Sequence, residues 1–98
     1  MTEYRILVPV IRNTNRKRHS GSVWFEWEQW LLENFNGYTV GHDARGEWIG
    51  PHGLVVDRSA TYYVADSREF AARQLADKVK ELFDQTCVYI SQCEAYII

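Results

Sequence analysis

Residues 37–65 hold two strand-like runs, rich in Thr, Val, Ile and Tyr, joined by the turn cluster Gly50-Pro51-His52-Gly53. Such a segment reads as an antiparallel hairpin, because β-branched and aromatic residues suit a pleated surface and Gly-Pro-x-Gly reverses the chain. The hairpin constrains the architecture more than anything else in the chain. It assigns no reaction: neither here nor elsewhere does a spacing match a metal site, a phosphate-binding loop or a nucleophile with its base.

The flanking segments complete a sheet. Residues 4–11 are short and β-branched, which predicts a buried first strand that loosens near Pro9. A basic, Asn-rich loop follows. Ser20 or Ser22 then caps a helix running to Phe35, in which Val23, Trp27, Trp30, Leu31 and Phe35 make an apolar stripe, and Gly37 stops it. The second strand spans residues 38–44 with a continuation to Ile49, and the third spans 54–65. Asp66-Ser67-Arg68-Glu69 has the form of a capping box opening a second helix that ends near Asp84. Its core stripe is Phe70, Ala71, Leu75, Val79, Leu82 and Phe83. Residues 86–91 form a fourth strand, and residues 93–98 offer a short fifth.

The order βαββαβ is the split βαβ arrangement of an α+β, ferredoxin-like domain. Right-handed crossovers put both helices on one face of a four-stranded antiparallel sheet in the order 4-1-3-2. With 98 residues, 46% of them apolar, the chain is expected to form one domain, residues 1–98. Alternation places Ile6, Val8, Val10, Tyr38, Val40, Leu54, Val56, Tyr62, Val64, Val88 and Ile90 toward the helices. Arg5, Leu7, Pro9, Thr39, Gly41, Ser59, Thr61, Tyr63, Tyr89 and Ser91 take the open face, whose mixed character is that of a modest interface.

The Trp-bearing first helix, the strand with Thr39-Val40 and the Gly46-Glu47-Trp48 turn resemble a family of small bacterial ferredoxin-like proteins of unknown function. The matching positions are Glu26-Trp27, Phe35, Gly37, Thr39-Val40, Asp43-Ala44, Gly46 to Trp48, Gly53, Val55-Val56 and Ser59. This chain departs from the pattern in its basic loop and in lacking a lipoprotein signal. The resemblance implies the fold and supplies no catalytic residues; its compact form also suggests a phage or mobile-element member.

The net charge of -2 conceals an asymmetry, because residues 1–20 hold five Lys/Arg against one Glu. Arg12, Arg16, Lys17 and Arg18 form a candidate anion-binding loop, with phosphates or nucleic acid as the contact. An RNA-reading sheet would want aromatics on both central strands, and the first strand offers Tyr4 alone, so nucleic acid is the less favoured partner. In the hairpin, His42 or Asp43 as base with Arg45 or Arg16 stabilising an anion is the enzymatic alternative; alternation sends His42 and Asp43 to opposite faces, which works against it. Of four tryptophans, Trp24, Trp27 and Trp30 differ too much in helical azimuth to share one core face, so one of them is expected at a rim. Trp48 is the candidate anchor for a partner.

Cys87 and Cys93 are six positions apart, about 20 Å along a continuous strand, which favours two free thiols over a disulfide. No metal or cofactor is expected. The chain reads as a cytoplasmic, non-enzymatic interaction domain, a homodimer through the open face. Its interaction residues are Arg5, Leu7, Thr61, Tyr63, Tyr89 and Trp48. A host protein or a small anionic ligand is the further partner expected of a phage-type inhibitor or ligand sponge.

Overall fold

A computed structural model describes residues 1–11, 15–68 and 71–98, and of Asp43 the backbone. Six elements follow in order: β1 (Thr2–Pro9), α1 (Gly21–Phe35), β2 (Thr39–Gly50), β3 (Gly53–Asp66), α2 (Ala71–Phe83) and β4 (Tyr89–Glu94). The fold is α+β and ferredoxin-like. β1 lies between β3 and β4 and is antiparallel to both, and the sheet order is β2-β3-β1-β4, the expected 4-1-3-2 counted from the other edge.

The alternation along the central strands produces the core. Tyr4, Ile6 and Val8 on β1 and Ala60, Tyr62 and Val64 on β3 are buried beneath the helices. α1 meets them with Trp27, Leu31 and Phe35, and α2 with Ala71, Leu75, Val79 and Phe83. Both sets recur every four residues, the spacing that keeps side chains on one helical face. Each large side chain so buried contributes about 1.5–3 kcal/mol.

The tryptophans depart from the expected pattern. Trp27 is fully buried, and Trp24 and Trp30 are half-buried against the same core. Trp24 stacks on Tyr62 and leans on Phe83, while Trp30 stacks on Trp27 at 5.7 Å. Aromatic neighbours on the helix flanks thus cover rings that azimuth alone sends to the rim.

The ends of the elements also differ in detail. Ser20 is the residue before α1, yet its hydroxyl pairs with that of Ser22 at 2.9 Å and caps no amide. Asn36, left-handed at φ 65, closes the helix by donating to the Leu32 carbonyl at 3.2 Å; Gly37 follows at φ 155. The expected partner of Asp66 in a capping box, Glu69, and the stripe residue Phe70 lie outside the described residues. Asp66 Oδ1 accepts from the amides of Ser67 and Arg68, and Oδ2 takes the Arg68 Nε at 2.5 Å. Arg68 also donates to the Asn34 carbonyl and sits 4.5 Å from the Phe35 ring centre, tying the end of β3 to the C-terminus of α1.

Partial burial alone would raise the Asp66 carboxyl, but the hydrogen bonds and charge of Arg68 and the Ser67 amide outweigh it and hold the group below its ordinary value. A carboxylate whose native pKa lies below the unfolded one stabilises the fold at neutral pH, and the contribution disappears as acid protonates it. Asp66→Asn is therefore expected to cost about 0.5–1 kcal/mol at pH 7. Thermal melts at falling pH should show the two proteins converging once acid has protonated the folded carboxylate; a gap that persists in strong acid would exclude this role.

β4 is one continuous strand. The sequence ends the fourth strand at Ser91 and offers a short fifth from Cys93, but β1 begins at Thr2, early enough to pair with Cys93 through Glu3 and with Glu94 through Thr2. The β1 template therefore extends β4. Both cysteines are free and exposed.

Candidate interaction site on the open sheet face

The hairpin outreaches its cover. β3 has 14 residues and α2 has 13, which is about 46 Å of strand against about 20 Å of helix. Leu54 and Val56, assigned by alternation to the helix face, consequently stand 63% and 44% exposed on the uncovered arm, with Ile49 at 78%. Element lengths alone imply this overhang, since the rise per residue of a strand is about twice that of a helix.

A β-bulge sets the rest of the site. Gly41 pairs with Thr61 and Ala44 with Ser59, so three steps on β2 oppose two on β3. One additional residue reverses the facing of everything beyond it. Ala44, Gly46 and Trp48 therefore join Ser59, Asp57 and Val55 on the open side. Trp48 remains 51% exposed, and its indole N–H donates to Asp57 Oδ2 at 2.7 Å.

Nearer the centre, two cross-strand rows make up the open face. One runs Thr39, Tyr63, Arg5, Ser91 and the next Gly41, Thr61, Leu7, Tyr89. Five of the six anticipated interaction residues fall in these rows, and the bulge turns Trp48 to the same side. Their exposure is unequal: Arg5 is exposed with its Nε on Ser91 Oγ at 3.1 Å, Tyr89 is 61% exposed, Leu7 and Tyr63 are half-buried, and Thr61 is buried. Thr61 therefore has little surface to offer a partner. The arm and the open face together line a groove of about 760 Å³ with Leu7, Pro9, Trp48, Val55 and Tyr89 in its walls and Arg16 and Arg45 among its charged residues.

The basic loop does not act as one unit. Arg12 lies outside the described residues. Ile11 bridges to Arg18, and the His19 amide donates to the Val10 carbonyl at 3.3 Å, returning the loop to the sheet. Arg16 then lines the open-face groove, whereas Arg18 lines a separate cavity beside α1. Lys17 is exposed. Arg16 itself is left-handed, at φ 58, and no sequence period encodes the divergence.

The hairpin charges also separate. Arg45 pairs with Glu47, Asp57 accepts from Trp48, and Arg58 is exposed at the rim. His42 lines the cavity beside α1, away from the groove that holds Arg45 and Arg16. The members of the alternative acid–base site are thereby divided between two places; the Asp43 side chain is outside the described residues.

No protein-family model and no curated protein matches the chain. Among solved structures, it resembles a divalent cation tolerance protein, CutA1, from Thermus thermophilus, with TM-score 0.66 and 19% identity over 97% of this chain and 84% of that one. The fold is shared with CutA1. A second such structure, from Ehrlichia chaffeensis, gives TM-score 0.64 and 7% identity over 99% of this chain and 82% of that one. Identities this low support the architecture and carry over no residue of a site. No helix among the described residues is long and apolar enough to cross a membrane.

Proposed function

We propose that the chain is a non-enzymatic binding domain that self-associates through the open sheet face and the projecting β2–β3 arm. The arm carries this reading: it presents Trp48 on one side and Ile49, Leu54 and Val56 on the other, all exposed. A two-stranded ribbon is marginal on its own, and apolar residues on both sides favour contact with a second surface. A second copy offers a groove whose aromatic and aliphatic walls match the arm in chemistry, and Trp48 and Tyr89 are the residue types that dominate interfaces.

Size-exclusion chromatography with light scattering should show an assembly at high micromolar concentration, reduced to monomer by Trp48→Glu and by Tyr63→Glu. A wild-type monomer under those conditions, unchanged by Tyr63→Glu, would sink the proposal. Occupation of a host factor, as by a phage-type inhibitor or ligand sponge, is a finer version that rests on the resemblance alone; a pull-down from bacterial lysate that enriches no protein counts against it. Among the described residues no three His, Cys, Asp or Glu side chains gather as a metal site would require.

A further inference from the structure

A cavity of about 260 Å³ lies at the first turn of α1, on the helix side of the sheet. Val10, Trp24 and Ala60 give it apolar walls, and Arg18, His19 and His42 supply nitrogen groups that carry or can take positive charge. Among the described residues none that lines it is an acid. Three separate devices bring the basic residues together. The Ile11–Arg18 bridge returns the loop to the end of β1. His19 is fixed by its ring, edge-on to Phe83 at 4.9 Å and to Trp24 at 6.1 Å. His42 lies in the bulge between Gly41 and Ala44, where it lines the cavity. The first turn of α1 contains no acidic residue that would offset the positive end of the helix.

Structural packing alone does not call for this composition. A gap beside a helix start is ordinarily filled by apolar side chains or bordered by carboxylates that complement the helix terminus. This one places exposed Arg18 and His42 over an apolar floor. That combination suits a ligand with an apolar body and one negative group, because a desolvated floor strengthens charge-assisted hydrogen bonds at the rim. The volume is slightly below the range of about 300–1,000 Å³ usual for small-molecule pockets, enough for one ring and its substituent.

We propose that the cavity binds a small organic anion, its apolar body against Trp24, Val10 and Ala60 and its carboxylate or phosphate group between Arg18 and His42. The site is independent of the self-association surface and does not rest on it. The probes are benzoate, phenyl phosphate and the neutral benzamide, titrated into the isotopically labelled full chain and followed by NMR at the Trp24 indole and the His42 ring.

Saturable shifts at both residues are expected with at least one anion, and which anion binds more tightly separates a carboxylate site from a phosphate site. Benzamide should bind at least about ten-fold more weakly, the loss of one charge-assisted contact. Arg18→Gln and His42→Gln, both at exposed positions, should each weaken the anion by about five-fold or more, with the remaining spectrum unchanged, while Arg45→Gln has no effect. The proposal is overturned if benzamide binds as well as benzoate, if both variants retain full affinity, if the shifts map elsewhere, or if neither anion saturates by about 10 mM.

Discussion

Trp27→Ala is expected to lower the free energy of unfolding by about 3–5 kcal/mol, the range for removing a large aromatic from a packed core. Trp27 is 0% exposed and touches the rings of Tyr62, Phe83 and Trp30, so its loss leaves a cavity bounded by three aromatics on two helices and a strand. Those rings are held by their own neighbours and cannot collapse inward without breaking other contacts, which places the cost toward the upper end. The indole adds a second consideration: among the described residues its N–H is buried with no hydrogen-bond partner, an arrangement that costs about 1–3 kcal/mol. Trp27→Phe removes that donor while keeping a ring against Tyr62 and Phe83. It should therefore cost less than half as much as the alanine variant in urea unfolding followed by circular dichroism. Equal losses for the two variants would show that the indole N–H is satisfied, for example by a buried water, and that this account of Trp27 is wrong.

Much of the core around Trp27 is legible in the sequence, because period and alternation report which side of an element is dry. Ile6, Val8, Tyr62 and Val64 on the strands and Leu31, Leu75 and Val79 on the helices all fall where those periods put them. The turn is equally readable: Gly53 sits at φ 113, a conformation L-side chains rarely adopt, and the sequence supplies glycine there. The failures occur where structure depends on lengths or on single insertions. Leu54 and Val56 have the right parity for the core but lie beyond the reach of the helices. Trp48 comes to the open face only because one additional residue between Gly41 and Ala44 reverses the alternation. No residue type in Gly41-His42-Asp43-Ala44 announces a bulge, although glycine permits one. The continuation of β4 to Glu94 escapes a local reading for a related reason, since it depends on where the distant N-terminus supplies pairing partners.

The candidate site is legible to a different degree. The open-face residues Arg5, Leu7, Tyr63 and Tyr89 follow from alternation plus topology, which fix both the face and the neighbours. The cavity beside α1 could not be assembled the same way, because Arg18 and His42 are far apart in sequence and meet only through a loop bridge and a bulge. The charges that cluster along the hairpin sequence separate in the fold for the same reason, with Arg45 lining the groove and His42 the cavity beside α1.

Above about pH 10, tyrosine chemistry should dominate the stability of this fold. The Tyr62 hydroxyl donates to Glu28 Oε2 at 2.7 Å, and its side chain is 1% exposed beneath Trp24 and Trp27. Burial, first, and the adjacent Glu28 carboxylate, second, raise its ionisation well above the ordinary value of 10.0. Tyr38, whose ring is 5.6 Å from that of Tyr62, is shifted the same way by burial and Glu28. A group whose native pKa is raised holds its full stabilising contribution below the unfolded pKa and loses it as pH climbs toward the native one. Unfolded Tyr62 ionises from about pH 10 while the folded residue stays neutral, so stability should fall by up to about 1.4 kcal/mol for each further unit. Tyr62→Phe removes that drain. At pH 7–8 the variant is expected to be less stable by about 1–2 kcal/mol, because Glu28 loses its donor. As pH rises past 10 the deficit should shrink and, within about one to two units, reverse. Urea unfolding of both proteins across pH 8–11.5 measures the crossing; parallel curves over that range would mean that Tyr62 ionises equally in the folded and unfolded chain, and that the Glu28 contact does not hold its proton.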